Sequence, residues 1–387
     1  MLSCAQLLGI SLWFAASAIT PELQEKWSLG SGQVGWLTAA VQLGFVAGTA
    51  VAALLNLADL FPARWYFVVS CLLGAAANAA LAVVPNYSLA LMSRFLTGAF
   101  LAGVYPPAIK MVATWFHRER GLGIGILVGS LTVGKATPYF LRAMEGTSYR
   151  SVVVVTSIAA VAAAALVGLG YRDGPHRFEK RPFSWRLVGS LLRHRPTRLA
   201  IGGYLGHMWE LYAMWTWIPA FLAASLAISD PTGGSRGVLI AFGAIAAGGF
   251  GCVWGGWQAD RIGRERLVNR AMAASGACCL LIGLFFGTSI WLLAPIAWTW
   301  GFFVVADSAQ FSALVTEVSP SHAVGTALTL QTSLGFLLTI LTIQMVPEIV
   351  DASGWRWAFP VLALGPAAGI LAIRRLRRMR IRVETGS

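Results

Sequence analysis

Three features of the sequence predict an all-α integral membrane protein with twelve transmembrane helices in two pseudo-symmetric six-helix halves. The first is composition: 57% of the 387 residues are hydrophobic, 12% are charged, and mean hydropathy is +0.69. Soluble domains carry about 25% charged residues. The second is a series of twelve apolar runs, at residues 2–20, 34–57, 65–84, 89–114, 121–141, 150–171, 198–226, 237–257, 267–287, 290–316, 323–347 and 355–373. Each run is close to the ~20 residues that a helix needs to cross the hydrocarbon core, with some tilt. The third is the alternation of cationic and cation-poor connections between the runs.

Helical periodicity within the runs is weak because most faces are apolar, as expected where lipid or protein surrounds a helix on every side. The first run ends in Ala15-Ala16-Ser17-Ala18, which resembles a signal-peptide cleavage region. A signal peptide carries a basic leader, whereas the first charged residue here is Glu22, so the segment reads as a retained first helix. Connections such as Pro85-Asn86-Tyr87-Ser88 are short enough to force neighbouring helices antiparallel. One set of alternate connections, with the C-terminal tail, holds 21 of the 29 Lys and Arg residues. The opposite set holds five (Lys26, Arg142, Arg150, Arg236, Arg356), and Arg94, Lys110 and Lys135 lie within spans. The positive-inside rule then makes both termini cytoplasmic. Tryptophans fit this frame as an aromatic belt, with Trp27, Trp36, Trp291, Trp355 and Trp357 at outer helix ends and Trp65, Trp115 and Trp257 at inner ones. The basic stretch 172–197 reads as a cytoplasmic linker between the halves 1–171 and 198–373, and 374–387 reads as a basic cytoplasmic tail.

The net charge of +13 does not point to nucleic acid, because the cations follow the pattern of cytoplasmic loops. The five cysteines all lie in apolar runs without zinc-ligand spacing and read as packing residues. No metal or other cofactor is implied. No nucleophile–base pair converges in the sequence, which argues against an enzyme.

The halves echo each other. Leu8-Gly9, Trp13 and Pro21 in the first span correspond to Leu205-Gly206, Trp209 and Pro219 in the seventh. After the eighth span stands Gly256-Trp257-Gln258-Ala259-Asp260-Arg261-Ile262-Gly263-Arg264, and after the second a degenerate copy keeps Asp59 and Arg64. This Gly-x-x-x-Asp-Arg-x-Gly-Arg loop, duplicated in a twelve-span chain with a basic central linker, resembles the signature of the major facilitator superfamily along the whole chain. Arg94-x-x-x-Gly98 also resembles the family's buried arginine motif. The resemblance implies a substrate site near midplane between parallel halves. It also implies a gating role for the signature loops and Arg94, a monomer, and a bacterial inner membrane. Ser11-Leu12-Trp13-Phe14 and Gly103-Val104-Tyr105-Pro106-Pro107 are similar to a bacterial group often labelled nitrate/nitrite-transporter-like. Nitrate porters, however, hold the anion with arginines in spans two and eight, and neither 34–57 nor 237–257 contains one.

Within the membrane remain Arg94, Lys110, Lys135, His207, Glu210 and Asp307. An ionised side chain at bilayer centre costs about 2.5–3.5 kcal/mol even on insertion scales, so such groups pair, face water or bind substrate. The family's cavity is lined by helices one, four, seven and ten, with two, five, eight and eleven behind, and the charges lie on four, five, seven and ten. Lys135 and Lys110 are the candidate anion ligands, although Lys110 is near enough to a helix end to snorkel. Tyr105, Trp13, Trp209, Tyr212 and Gln331 are candidate lining residues. Trp215, Trp217, Trp298, Trp300, Gln42 and Thr339 are further possibilities. Glu210 and His207 are three residues apart on one helical face, and burial favours the neutral form of each. With Asp307 they are the candidate proton carriers. A static ion pair of Glu210 with Lys135 or Lys110 is the competing structural role.

The expectation is a secondary transporter moving a small solute, organic or inorganic anion with protons, by alternating access. Two alternatives stand beside it: a proton-coupled exporter of a cationic or zwitterionic solute, and a non-transporting membrane sensor on the same scaffold.

Overall fold

The computed structural model describes residues 1–55, 57–115, 120–144, 146–176, 184–229 and 234–385, without the side chains of 58, 59, 120–122, 234 and 382–385. Among the described residues there is no strand, and ten helices are long and apolar enough to cross a membrane. The first and third crossings complete the twelve. The third, Ala63–Ala80, is lowered in hydropathy by Arg64 and Asn78. The first is broken into Leu2–Ile10, Ala15–Ala18 and Thr20–Trp27. The other spans of the first half are Ser31–Leu54, Tyr87–Leu101 continued by Tyr105–Ala113, Arg120–Ala143 and Tyr149–Gly170. The second half comprises Arg195–Ser229, Gly234–Ile262, Arg264–Ile282, Ile290–Ala306 continued by Ser308–Val318, Val324–Ser353 and Leu364–Thr385.

Three boundaries differ from expectation. The linker 172–197 contains a helix, Trp185–Arg193, and the backbone amide of Ser184 donates to Thr326 Oγ1 at 2.9 Å. Of the rest of the linker, 177–183 lie outside the described residues. The eleventh span ends at Gly354, whose φ of +81° suits glycine. Two short 3-10 turns, Trp355–Trp357 and Pro360–Ala363, then precede the last helix. That helix runs on through the residues expected as a tail, because Arg is a good helix former and Arg380 reaches Glu265 at 2.8 Å and Glu317 at 3.2 Å.

Within each half, close packing of a pair of spans rests on glycine. A Cβ on Gly98 would meet the Val41 carbonyl oxygen at 2.1 Å, between spans two and four. A Cβ on Gly301 would meet the Ala244 carbonyl oxygen at 1.6 Å, between the equivalent spans eight and ten. Small residues at such crossings let backbones approach where no hydrophobic effect drives helices together.

The halves meet along spans two and eleven and along five and eight. On the face opposite the chain termini, Ser31 Oγ donates to Asp351 Oδ2 at 2.9 Å, and Phe140 and Phe242 pack at 5.2 Å. At midplane, Gly129 and Gly249 bring spans five and eight together, and a Cβ on either would lie about 3 Å from the other's carbonyl oxygen (2.9 Å and 3.0 Å).

The break in the first span exposes main-chain carbonyls in the interior. Arg94, on span four and fully buried, answers it: Nη2 donates to the Leu12 carbonyl at 3.0 Å and the Trp13 carbonyl at 2.5 Å. Nη1 donates to Asn78 Oδ1 at 2.9 Å. The Asn78 amide in turn donates to the Val153 carbonyl and to the hydroxyls of Thr156 and Ser157. One guanidinium and one amide thus join spans one, three, four and six. Span four breaks at Ala102–Val104, where Pro106 and Pro107 cannot supply the amide protons that continue the helix.

Two outcomes follow for thermal unfolding of the purified protein in detergent. Gly301→Ala lowers the melting temperature through overpacking worth about 1–3 kcal/mol, while Gly256→Ala, with nothing within 4 Å of its Cβ, leaves it unchanged. Asn78→Ala removes the acceptor of Arg94 and costs about 1–3 kcal/mol through the donor left unpaired.

Candidate functional site

Span seven, Arg195–Ser229, organises the interior by presenting a different chemical group to each neighbour. Toward the first half it shows Tyr212 and Trp215. The Tyr212 hydroxyl accepts a hydrogen bond from Lys135 Nζ of span five. The same ammonium lies 4.0 Å from the ring centroid of Trp13, 4.7 Å from that of Tyr212 and 5.2 Å from that of Trp215. Lys135 is 3% exposed, and no carboxylate pairs with it among the described residues. Aromatic faces replace a counter-ion here, through the attraction of their quadrupoles for a cation. Phe14, Phe45 and Phe336 close the cluster: Trp13 is 5.2 Å from Phe45 and 5.6 Å from Phe336, and Phe14 is 6.1 Å from Trp215. The indole N–H groups of Trp13 and Trp215 are buried without an acceptor among the described residues.

Toward spans nine and ten the same helix shows Glu210, 1% exposed. Its Oε1 accepts from Trp300 Nε1 at 2.5 Å and from Cys279 Sγ at 3.0 Å, and its Oε2 accepts from Ser275 Oγ at 2.9 Å. The expected pairing with Lys135 or Lys110 is therefore corrected. The carboxylate turns into its own half, where three donors satisfy it. Its place in the repeat explains the arrangement. Asn78 and Ser275 are 197 residues apart, as are Trp13 and Glu210. In the first half a cation on span four grips bare carbonyls of span one with help from span three. In the second half a carboxylate on span seven is gripped by span ten with help from span nine.

Toward the lower part of span ten it shows His207, 3% exposed. His207 Nδ1 is 2.9 Å from Asp307 Oδ1, and Nε2 is 2.9 Å from Ser308 Oγ. Asp307 Oδ1 has no aligned hydrogen-bond donor among the described residues. Asp307 sits at the break between Ile290–Ala306 and Ser308–Val318, and the imidazole bridges that break. Tyr204 and Phe311 pack on the imidazole at 6.0 Å and 5.3 Å.

The remaining candidates are dispersed. Tyr105 and Lys110 are half-buried on the second segment of span four. Trp209, expected to line a pocket, instead donates to the Val361 carbonyl at 3.4 Å and faces the start of span twelve. Trp217 donates to the Ile343 carbonyl at 2.8 Å, and Trp298 is largely exposed. Gln331 is buried with its amide 3.5 Å from Ser312 Oγ and its Oε1 unpartnered, and Gln42 is buried with neither amide atom bonded. Thr339 bonds to the Phe336 carbonyl.

In the signature loops, Arg264 pairs with Glu317 at 2.6 Å, and the Arg261 guanidinium stacks on Trp257 at 3.5 Å. Gly263 has φ +87°, which permits the turn into span nine, while Gly256 has open space around it. Asp260 is exposed and makes no ion pair among the described residues. Arg64 donates to the Gly168 carbonyl at the end of span six. The side chain of Asp59 lies outside the described residues.

Ser275, Cys279, Trp300, Asn78 and Ser308 are the residues that sequence reasoning missed as partners of the buried charges. The repeat offset was the available signal, since it aligns Asn78 with Ser275. Nothing in the sequence marks Cys279 as a donor rather than a packing residue.

Comparison with known proteins agrees with this architecture. The Major Facilitator Superfamily profile matches residues 1–343. The niacin transporter of Acinetobacter baylyi is 24% identical over 318 residues, covering 72% of this chain and 70% of that protein. Among solved structures, the fucose:proton symporter of E. coli superposes with a TM-score of 0.66 at 15% identity over 97% of each chain. A bacterial homologue of the human lysosomal transporter Spinster superposes with a TM-score of 0.72 at 15% identity, over 97% of this chain and 96% of that one. The chain, with its two six-helix halves and duplicated loops, belongs to the Major Facilitator Superfamily and is a transporter rather than an enzyme.

Proposed function

We propose that this secondary transporter carries a small organic anion by alternating access and couples its movement to protons at the His207–Asp307 pair. The observation that carries the anion reading is Lys135, a buried ammonium where the two halves meet, held by ring faces and a phenol with no carboxylate in reach among the described residues. An arriving anion supplies the missing charge. It draws the ammonium away from rings contributed by both halves, so substrate binding loosens the contact that joins them. The relationship to a niacin transporter supports the same class, since niacin is itself a small organic acid.

The coupling argument is electrostatic. With a neutral imidazole, Asp307 is an uncompensated buried anion, and with an imidazolium the pair is net neutral. Moving the unprotonated form through the membrane interior costs a few kcal/mol, so a proton accompanies each cycle. One proton per monovalent anion also avoids work against the membrane potential, about 2.3 kcal/mol per charge per 100 mV. Glu210 is left out of the coupling role because donors from its own half already occupy both carboxylate oxygens. The distribution of cations, 21 against five, supports a bacterial inner membrane protein with cytoplasmic termini. The unit of transport in this reading is the monomer.

Uptake of labelled organic acids into proteoliposomes under an imposed pH gradient tests both parts. Asp307→Asn is expected to lose at least about tenfold of gradient-driven accumulation while retaining counterflow exchange. Lys135→Gln is expected to lose both. Wild-type accumulation by Asp307→Asn would place coupling elsewhere, and transport of cations but of no organic acid would remove the anion reading.

A further inference from the structure

The cluster around Lys135 contains more than a cation. Two indole rings and a phenol are gathered on one ammonium, and the buried N–H groups of those indoles have no acceptor among the described residues. Trp13 and Trp215 are each 1% exposed, so neither N–H is satisfied by solvent. A buried unpaired donor is costly, and two of them next to an uncompensated cation mark the place where an acceptor with negative charge belongs. A carboxylate has two oxygens and about four lone-pair directions, enough for Lys135 and both indoles.

The rings set a second condition. When a carboxylate takes the ammonium, the faces of Trp13 and Trp215 lose the cation that now lies against them. A short aliphatic acid neutralises Lys135 and leaves those faces without a partner. A substrate with an aromatic ring returns a partner to them, because offset and edge-to-face ring pairs are favoured at centroid separations of about 4.5–7 Å. The cluster already packs this way: Trp13 and Tyr212 are 5.8 Å apart, and Tyr212 and Phe336 are 5.3 Å apart.

We infer that the substrate is a planar aromatic monocarboxylate. Its carboxylate is taken by Lys135 and the indole N–H groups of Trp13 and Trp215, and its ring by the faces that Lys135 now covers. The inference rests on the anion reading of Lys135 and narrows it to a class. It also makes Trp13 and Trp215 specificity-determining residues contributed one from each half, so a bound substrate spans the joint that must rearrange during transport.

The test uses the full-length protein in proteoliposomes, with benzoate, cyclohexanecarboxylate and acetate as probes of equal charge. Benzoate and cyclohexanecarboxylate have similar size and differ in having a ring face. Benzoate is expected to be taken up, and cyclohexanecarboxylate to compete with it about two- to tenfold more weakly, in line with the worth of an aromatic pair. Trp13→Phe and Trp215→Phe keep the ring and remove the N–H. Each is expected to raise the KM for benzoate about tenfold, the loss expected for a hydrogen bond to a charged group, and to retain the preference over cyclohexanecarboxylate. Benzoate quenching of intrinsic tryptophan fluorescence in the same variants shows whether binding is lost in folded protein. Equal competition by cyclohexanecarboxylate, or preferred uptake of acetate, overturns the aromatic inference and leaves the anion reading standing. No uptake or binding of any carboxylate by folded wild-type protein overturns both.

Discussion

Hydrocarbon offers no water to an unsatisfied carbonyl or charge, and each one left bare costs several kcal/mol. The organisation of this chain turns on how it meets that requirement in two places. In the first half, the helix break at Ser11–Phe14 exposes carbonyls, and the buried guanidinium of Arg94 binds two of them while Asn78 anchors it to span six. In the second half no such break exists in span seven. The equivalent position is Glu210, held by Ser275, Cys279 and Trp300. The two knots have opposite charge and the same mechanical effect. Each ties the first helix of its half to the third and fourth.

Lys135 and its rings lie where span seven meets spans one and five, and the His207–Asp307 pair lies where span ten is interrupted. Groups with complete hydrogen bonding are poorly suited to exchange partners in a cycle. Asp307, Gln331 and the indole N–H groups of Trp13 and Trp215 keep buried polar atoms without a partner among the described residues. In the proposed cycle Glu210 serves the scaffold, and the pair one turn before it carries the coupling.

Much of the architecture was legible from residues alone, because spanning a bilayer imposes length and hydropathy on every segment. The all-helical membrane fold and its twelve crossings followed. Element ends were less legible. The linker helix Trp185–Arg193 and the helical continuation past 373 lie in charged sequence, where hydropathy carries no signal. The break in the first span has no proline to announce it, whereas that in span four follows from Pro106 and Pro107.

The sequence by itself determined which buried groups needed an explanation, since ionisable residues within apolar runs stand out by cost alone. Lys135, Glu210, His207, Asp307 and Arg94 were all identified on that ground. Only the tertiary structure decided their partners. A helix turns 100° per residue, so Glu210 and His207, three positions apart, still reach different elements once span seven is surrounded on all sides. Glu210 turned toward a thiol, a hydroxyl and an indole that carry no charge to betray them, and His207 turned toward Asp307, exactly 100 residues away in the chain. Charge can be counted along a sequence, whereas the direction in which a side chain faces depends on every helix packed around it.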